Sequence, residues 1–377
     1  MKEAGGFPTF EAERRLQARR TAGVEPVALY GTPSPALPAH VVDAVADVLG
    51  RPMAAPPPRG LVALREAYAP ELERTTGRSV DPQRELLVTN GAMHALGICM
   101  RSLVGAGDEV IVPAPSFFFA EPIRSAGAEP VYVIGSESDG WRWDAEAVER
   151  AVGPRTRALL LCNPGNPTGS VPSQEEVAAV VAVASRHGLL VVTDEAYEAA
   201  LWNDSALTSA FGLAEDVVVI RSLGKSLSLP QLRLGIVSGP ADRIDACALT
   251  LEWECLRVNL AAQEAACAVL AGPRDWLEAV HRDLLSDRAV ALAAVAATSR
   301  LHALPPAAAP FLFVRSEGGG DVAAGLAAVG LPVVDGVRFH APGYARLLFG
   351  GATGASAPLR QALALWSDLQ DAAVQIG

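Results

Sequence analysis

Between residues 85 and 238 short apolar runs alternate with longer helical stretches, and that rhythm restricts the fold more than any other feature. The runs lie at 85–89, 109–113, 130–134, 158–162, 189–193, 217–220 and 234–238. Four or five consecutive apolar residues leave no polar face for water, so such strands need cover on both sides. The stretches between them are long enough for crossover helices, which supply that cover. One helix has a marked start and stop: Ser173 stands three residues before Glu176 as a capping box, and Gly188 closes the helix. The expected fold is α/β, a seven-stranded, mostly parallel sheet with helices on both faces. In such sheets ligands sit at the C-terminal ends of the strands.

The flanks read differently. Residues 10–20 are arginine-rich and helical in pattern, and Pro33, Pro35 and Pro38 then forbid regular helix. Helices are expected at 40–49 and 61–73, with a proline-rich loop at 51–59 between them. A long amphipathic helix covers 276–297. Weaker strands at 311–314 and 345–349, the flexible Gly318–Gly320 and a closing helix near 359–372 suggest a smaller α+β domain. The expected division is an N-terminal arm and part of the small domain at 1–40, a large domain at 41–272 and a small C-terminal domain at 273–377.

Composition excludes several classes. No apolar run approaches the ~18 residues that cross a bilayer, and the first residues offer no apolar signal segment. The five cysteines are odd in number with no C-x-x-C spacing, which fits reduced thiols in a cytoplasmic protein. A formal net charge of −11 argues against a nucleic-acid surface. Neither an H-x-x-x-H pair nor a G-x-S-x-G elbow occurs, so no metal site and no α/β-hydrolase chemistry is expected.

Of 31 basic residues only Lys2 and Lys225 are lysine. Arginine keeps its proton, whereas a desolvated lysine can lose it and attack a carbonyl. Lys225 lies in Arg221-Ser-Leu-Gly-Lys-Ser-Leu-Ser-Leu-Pro-Gln-Leu-Arg-Leu-Gly235, directly after the 217–220 run. Three more motifs follow strands: Asn163-Pro-Gly-Asn-Pro-Thr-Gly169, Asp194-Glu-Ala-Tyr197 and Asn90-Gly-Ala-Met-His94. Singly, each has a plainer reading: Asp194 as a helix N-cap, 163–169 as a turn, Phe117 as ordinary core, Arg346 as a surface charge.

Together, N-P-x-N-P-T-G, D-E-x-Y and S-x-x-K-x7-R in this order and spacing resemble the class I/II aminotransferases, fold-type-I enzymes that use pyridoxal 5′-phosphate (PLP). The likeness runs from about residue 29 to 349. It implies that Lys225 carries the cofactor as a Schiff base and then shuttles the α-proton, with Asp194 on the pyridinium nitrogen. By the same resemblance Tyr197 and Asn166 bond the phenolic oxygen. Ser222, Arg233 and the backbone N–H groups of Gly91, Ala92 and Met93 hold the phosphate, and Phe117 stacks on the ring. Arg346, Gly31 and Asn166 meet the substrate, Arg346 at its α-carboxylate. Amino acids and 2-oxo acids are the implied substrates, and a homodimer is the implied assembly.

Two departures matter. Relatives carry a tyrosine a few residues before the glycine matching Gly60, and residues 52–60 contain none. Near residue 252, where enzymes selective for acidic substrates place an arginine, the chain reads Glu252-Trp-Glu-Cys255. A carboxylate at Glu252 or Glu254 would repel an acidic side chain and favour a polar or cationic amino acid. His94 is open to a structural or a substrate-facing role. Elimination, β/γ-replacement or cyclisation on the same fold is the alternative to transamination. The S-x-x-K of penicillin-recognising serine hydrolases also matches residues 222–225, but their further lysine in K-T-G is missing after Lys225.

Overall fold

The computed structural model describes residues 13–376 apart from 15, 16, 19, 22, 30–34, 53, 203, 204, 299 and 351–355. Two helices, α1 (Ala39–Leu49) and α2 (Val62–Thr76), precede the alternating region. That region contains β1 (Leu86–Thr89), α3 (Ala92–Leu103), β2 (Glu109–Ala114), α4 (Ala120–Ser125), β3 (Glu129–Ile134), α5 (Ala145–Ala151) and β4 (Thr156–Cys162). It continues with α6 (Gln174–Arg186), β5 (Leu190–Asp194), β6 (Val217–Arg221), the single turn α7 (Leu223–Ser226) and β7 (Gly235–Ser238). Every sequence-derived strand of this region is present within two residues of its expected ends. The capping box at Ser173 and Glu176 is formed, with Gly188 left-handed at φ 62 just past the end of α6.

The seven strands form one sheet in the order β1-β7-β6-β5-β4-β2-β3. The pairs from β6 through to β3 are parallel, while β7 runs antiparallel to both β1 and β6. Strands β1, β5, β6 and β7 are buried along their whole length, as apolar runs without alternation require. Register matters most for the site. Cys162 faces Asp194 and Asp194 faces Ile220, so β4, β5 and β6 finish level and their following loops emerge side by side.

After the sheet come α8 (Ala241–Cys255), α9 (Leu260–Ala271) and α10 (Asp275–Ala296). A second sheet is built from β8 (Leu301–Ala303), β9 (Phe311–Ser316), β10 (Val333–Asp335) and β11 (Tyr344–Leu348), in the order β10-β11-β9-β8 and antiparallel throughout. It packs with α10, α11 (Val322–Ala328) and α12 (Ser356–Ile376) around an apolar core of its own, separate from that of the large sheet. No described helix is long and apolar enough to cross a membrane.

Candidate active site

The level ends of β5 and β6 bring Asp194, Tyr197 and Lys225 together. Lys225 Nζ stands 3.4 Å from the centre of the Tyr197 ring. Asp194, the last residue of β5, is 8% exposed, and its Oδ1 accepts the Ala196 N–H at 3.0 Å. Burial pushes the Asp194 carboxyl up, while the ammonium of Lys225 and the Ala196 N–H pull it back. A buried carboxylate beside a half-buried amine is an arrangement that keeps a neighbouring heterocycle nitrogen protonated.

The next loop supplies Asn166, which is buried and accepts a hydrogen bond at Oδ1 from Arg346 Nη1 at 2.8 Å. Arg346 comes from β11 of the small sheet, so this bond joins the two sheets across the site. Its guanidinium carbon lies 5.8, 5.5 and 5.1 Å from the ring centres of Phe118, Phe311 and Phe339. Nε of Arg346 is buried without a hydrogen bond among the described residues. A desolvated cation with an unused donor is prepared for a carboxylate.

On the other side, α3 is preceded by Gly91 as N-cap, with φ 86 and no side-chain cap. The Gly91 N–H donates to the Thr89 carbonyl at 2.9 Å, and the first N–H groups of the helix itself, from Ala92 on, are open. A Cβ at Gly91 would fall 2.9 Å from Arg233 Nη2, and one at Gly235 would fall 2.8 Å from the Ala92 nitrogen. These glycines let the helix start, strand β7 and the Arg233 guanidinium converge. Ser222, 7% exposed, precedes α7, and its side chain makes no capping bond. Free N–H groups at a helix start, an arginine and a free hydroxyl have the donor chemistry of a phosphate cradle. Phe117 is half-buried, its ring 4.6 Å from that of Phe118. A phosphorylated pyridine aldehyde therefore fits the donor set. Gly31 lies outside the described residues.

His94 is structural. Its Nδ1 accepts the Asn90 N–H at 3.1 Å and its Nε2 lies 3.1 Å from Glu254. Arg101 Nε donates to the other oxygen of Glu254 at 2.7 Å, and Arg257 Nη1 donates to Glu252 at 3.1 Å. Both carboxylates are thus charge-balanced within the chain.

Sequence reasoning missed a buried ion cluster directly beneath these groups. Arg221, 1% exposed, lies 2.6 Å from Glu195 and 3.7 Å from Glu198. The Ser209 hydroxyl donates to Glu195 at 2.6 Å and Thr193 does so at 3.3 Å. The two carboxylates hold Arg221 firmly in its charged form. The available signal was Glu195 and Glu198 at one-turn spacing, with Arg221 ending an otherwise apolar strand. The aromatic wall of Phe118, Phe311 and Phe339 gave no local signal, because it is assembled from distant segments.

Comparison with known proteins gives a consistent picture. The family model "Aminotransferase class I and II" matches residues 31–364. An aspartate aminotransferase of Geobacillus stearothermophilus is 31% identical over 281 residues, covering 73% of this chain and 71% of that protein. A probable aspartate/prephenate aminotransferase of Thermus aquaticus is 33% identical over 358 residues, 90% of each chain. The solved aspartate aminotransferase of Thermus thermophilus with maleate superimposes with a TM-score of 0.89 at 30% identity, over 96% of each chain. The chain belongs to the class I and II aminotransferases, enzymes that depend on pyridoxal 5′-phosphate.

Proposed function

We propose that the enzyme transfers the amino group of a non-acidic amino acid to a 2-oxo acid acceptor. The aromatic enclosure of Arg346 carries this reading. The guanidinium can take one carboxylate, the substrate's own, while Phe118, Phe311 and Phe339 surround it with apolar surface. A second carboxylate on the substrate would be desolvated against those rings at a cost of several kcal/mol. The polar or cationic preference first read from Glu252 and Glu254 loses its support, since both are already ion-paired.

In this reading PLP, when bound, supplies a ring that withdraws electrons from the substrate Cα. Lys225 Nζ would hold the cofactor and would move a proton at the substrate Cα. Asp194 would hold the ring nitrogen in its protonated form. The Tyr197 hydroxyl and the Asn166 amide group, whose Oδ1 is already used by Arg346, donate to the phenolic oxygen. Ser222, Arg233 and the N–H groups of Ala92 and Met93 would take the phosphate, whereas the Gly91 N–H already donates to the Thr89 carbonyl at 2.9 Å. Phe117 would cover the ring, and Arg346 with Gly31 would orient the amino acid. Lys225→Ala is expected to lose the visible absorption of bound cofactor and at least ~10³-fold in kcat. Undiminished turnover in that variant would overturn the assignment.

The division into an arm at 1–40, a large domain at 41–272 and a small domain at 273–377 belongs to the same reading, supported by the two separate cores. So does a homodimer. Leu249 and Trp253, one turn apart on α8, and Leu256 just past its end are 64%, 91% and 66% exposed, apolar surface that a second copy would cover. Initial rates with L-aspartate, L-leucine, L-phenylalanine and L-ornithine, with 2-oxoglutarate as acceptor, test the substrate class. A clear preference for aspartate would sink it. Release of ammonia without an acceptor would indicate elimination instead.

A further inference from the structure

A second cavity, of about 530 Å³, is lined by Glu198 and Arg221 of the ion cluster and not by Asp194. Its volume lies in the range of small-molecule sites. Tyr68, Glu198 and Arg221 form its polar end, and Leu207, Leu270 and Leu277 its apolar walls. The charge count at the polar end does not close. Glu195 and Glu198 are two carboxylates facing the one guanidinium of Arg221. Glu195 is nearer to it and also receives the Ser209 and Thr193 hydroxyls. The Glu198 side chain is 8% exposed and 3.7 Å from Arg221, and its Oε2 is buried with no hydrogen bond among the described residues.

At the rim two guanidiniums face one carboxylate. Glu71 is bonded by Arg74 at 3.1 Å and by Arg274 at 2.6 Å, so it offers no surplus charge to compete. Among the described residues the buried acceptor of the cluster that no cation or donor reaches closely is Glu198 Oε2, while Arg221 Nε is also left without a hydrogen bond. We propose that this cavity is a second binding site, taking a small organic cation with an apolar tail, its charged head donating to Glu198 Oε2. Binding reaches the catalytic side directly, because Ser226, the residue after Lys225, lines both this cavity and the one beside Lys225. Burial pushes the Glu198 carboxyl up, and a cation prefers the ionised form, so affinity rises with pH through the titration of Glu198.

The test is calorimetric titration of the PLP-loaded enzyme with butylguanidinium. This probe donates hydrogen bonds and carries no primary amine to condense with the cofactor. One site per chain is expected, with binding weakened at least ~10-fold in Glu198→Gln and lost in the cavity-filling Leu207→Trp. Neutral butylurea is expected not to bind. Circular dichroism and cofactor absorbance establish that both variants fold. Three results would overturn the proposal: no binding to wild type up to ~10 mM, equal affinity in Glu198→Gln, or competitive displacement by an amino-acid substrate, which would put the probe at Lys225. The first two leave the transaminase reading untouched, since that reading is tested by turnover.

Discussion

Replacing Arg221 by methionine keeps much of the side-chain volume and removes the buried cation that is ion-paired with both Glu195 and Glu198. Deleting one partner of a buried ion pair costs about 3–5 kcal/mol, because the remaining charge stays desolvated. Here Glu195 keeps its Ser209 and Thr193 donors, which places the expected loss near the lower end, about 3 kcal/mol at pH 8. The pH dependence has a fixed sign. Without Arg221 both carboxyls have folded pKa values raised above their unfolded values. The variant's deficit is therefore complete above the folded pKa and shrinks as pH falls through it toward the unfolded value of about 4.3. Urea unfolding of wild type and Arg221→Met, followed by tryptophan fluorescence at pH 8 and pH 5.5, measures the difference. The double variant Arg221→Met/Glu198→Gln is expected to recover about 1 kcal/mol by removing the less satisfied carboxylate. A loss below about 1 kcal/mol at pH 8, or a deficit that grows on acidification, would refute the idea that this cluster supports the fold electrostatically.

Three further perturbations address the site. Gly91→Ala sets a methyl group 2.9 Å from the Arg233 guanidinium at a φ of 86. It is expected to raise the apparent Kd for PLP about 10-fold, measured by cofactor titration of the apoenzyme. Arg346→Lys keeps charge but loses the fork, so kcat/KM for the amino acid should fall about 10–100-fold, mostly through KM. Trp253→Asp is expected to halve the mass seen by sedimentation, and an unchanged mass would remove that apolar surface from the interface.

How much was legible beforehand differs by layer. The large sheet could be read because runs such as 158–162 and 217–220 are apolar throughout, a pattern few other environments tolerate. Its antiparallel strand β7 could not, since parallel and antiparallel pairing leave the same signature in a buried strand. In the small sheet β9 and β11 were anticipated, whereas β8 and β10, three residues each, are too short to show a period. The segments around Lys225, Asp194, Tyr197, Asn166 and Arg233 were identified from motif spacing, and the structure brings the first three into one cluster. The hydrogen bond from Arg346 to Asn166 spans 180 positions, so neither local sequence contains it. Glu252 and Glu254 were misjudged for a related reason. Their partners Arg257, Arg101 and His94 become visible only once α8 lies against α3.

The site and the cluster beneath it are two faces of the same strand ends. Asp194 is followed by Glu195, Tyr197 by Glu198, and Ser222 is preceded by Arg221. Successive residues leaving a strand point to opposite sides, so Asp194 and Ser222, at the ends of β5 and β6, each have a neighbour in the ion cluster, and Tyr197 has one in the turn after β5. Parallel pairing sets β5 beside β6 up to Asp194 and Ile220, but beyond that point the ladder ends and another restraint must fix the loops. The Arg221 pairs with Glu195 and Glu198 supply it, tying the turn that carries Lys225 to the loop that carries Asp194 and Tyr197. The distance between amine and carboxylate is thus governed partly from the side that no substrate touches, and this is why a charged ligand behind the lysine could alter events in front of it.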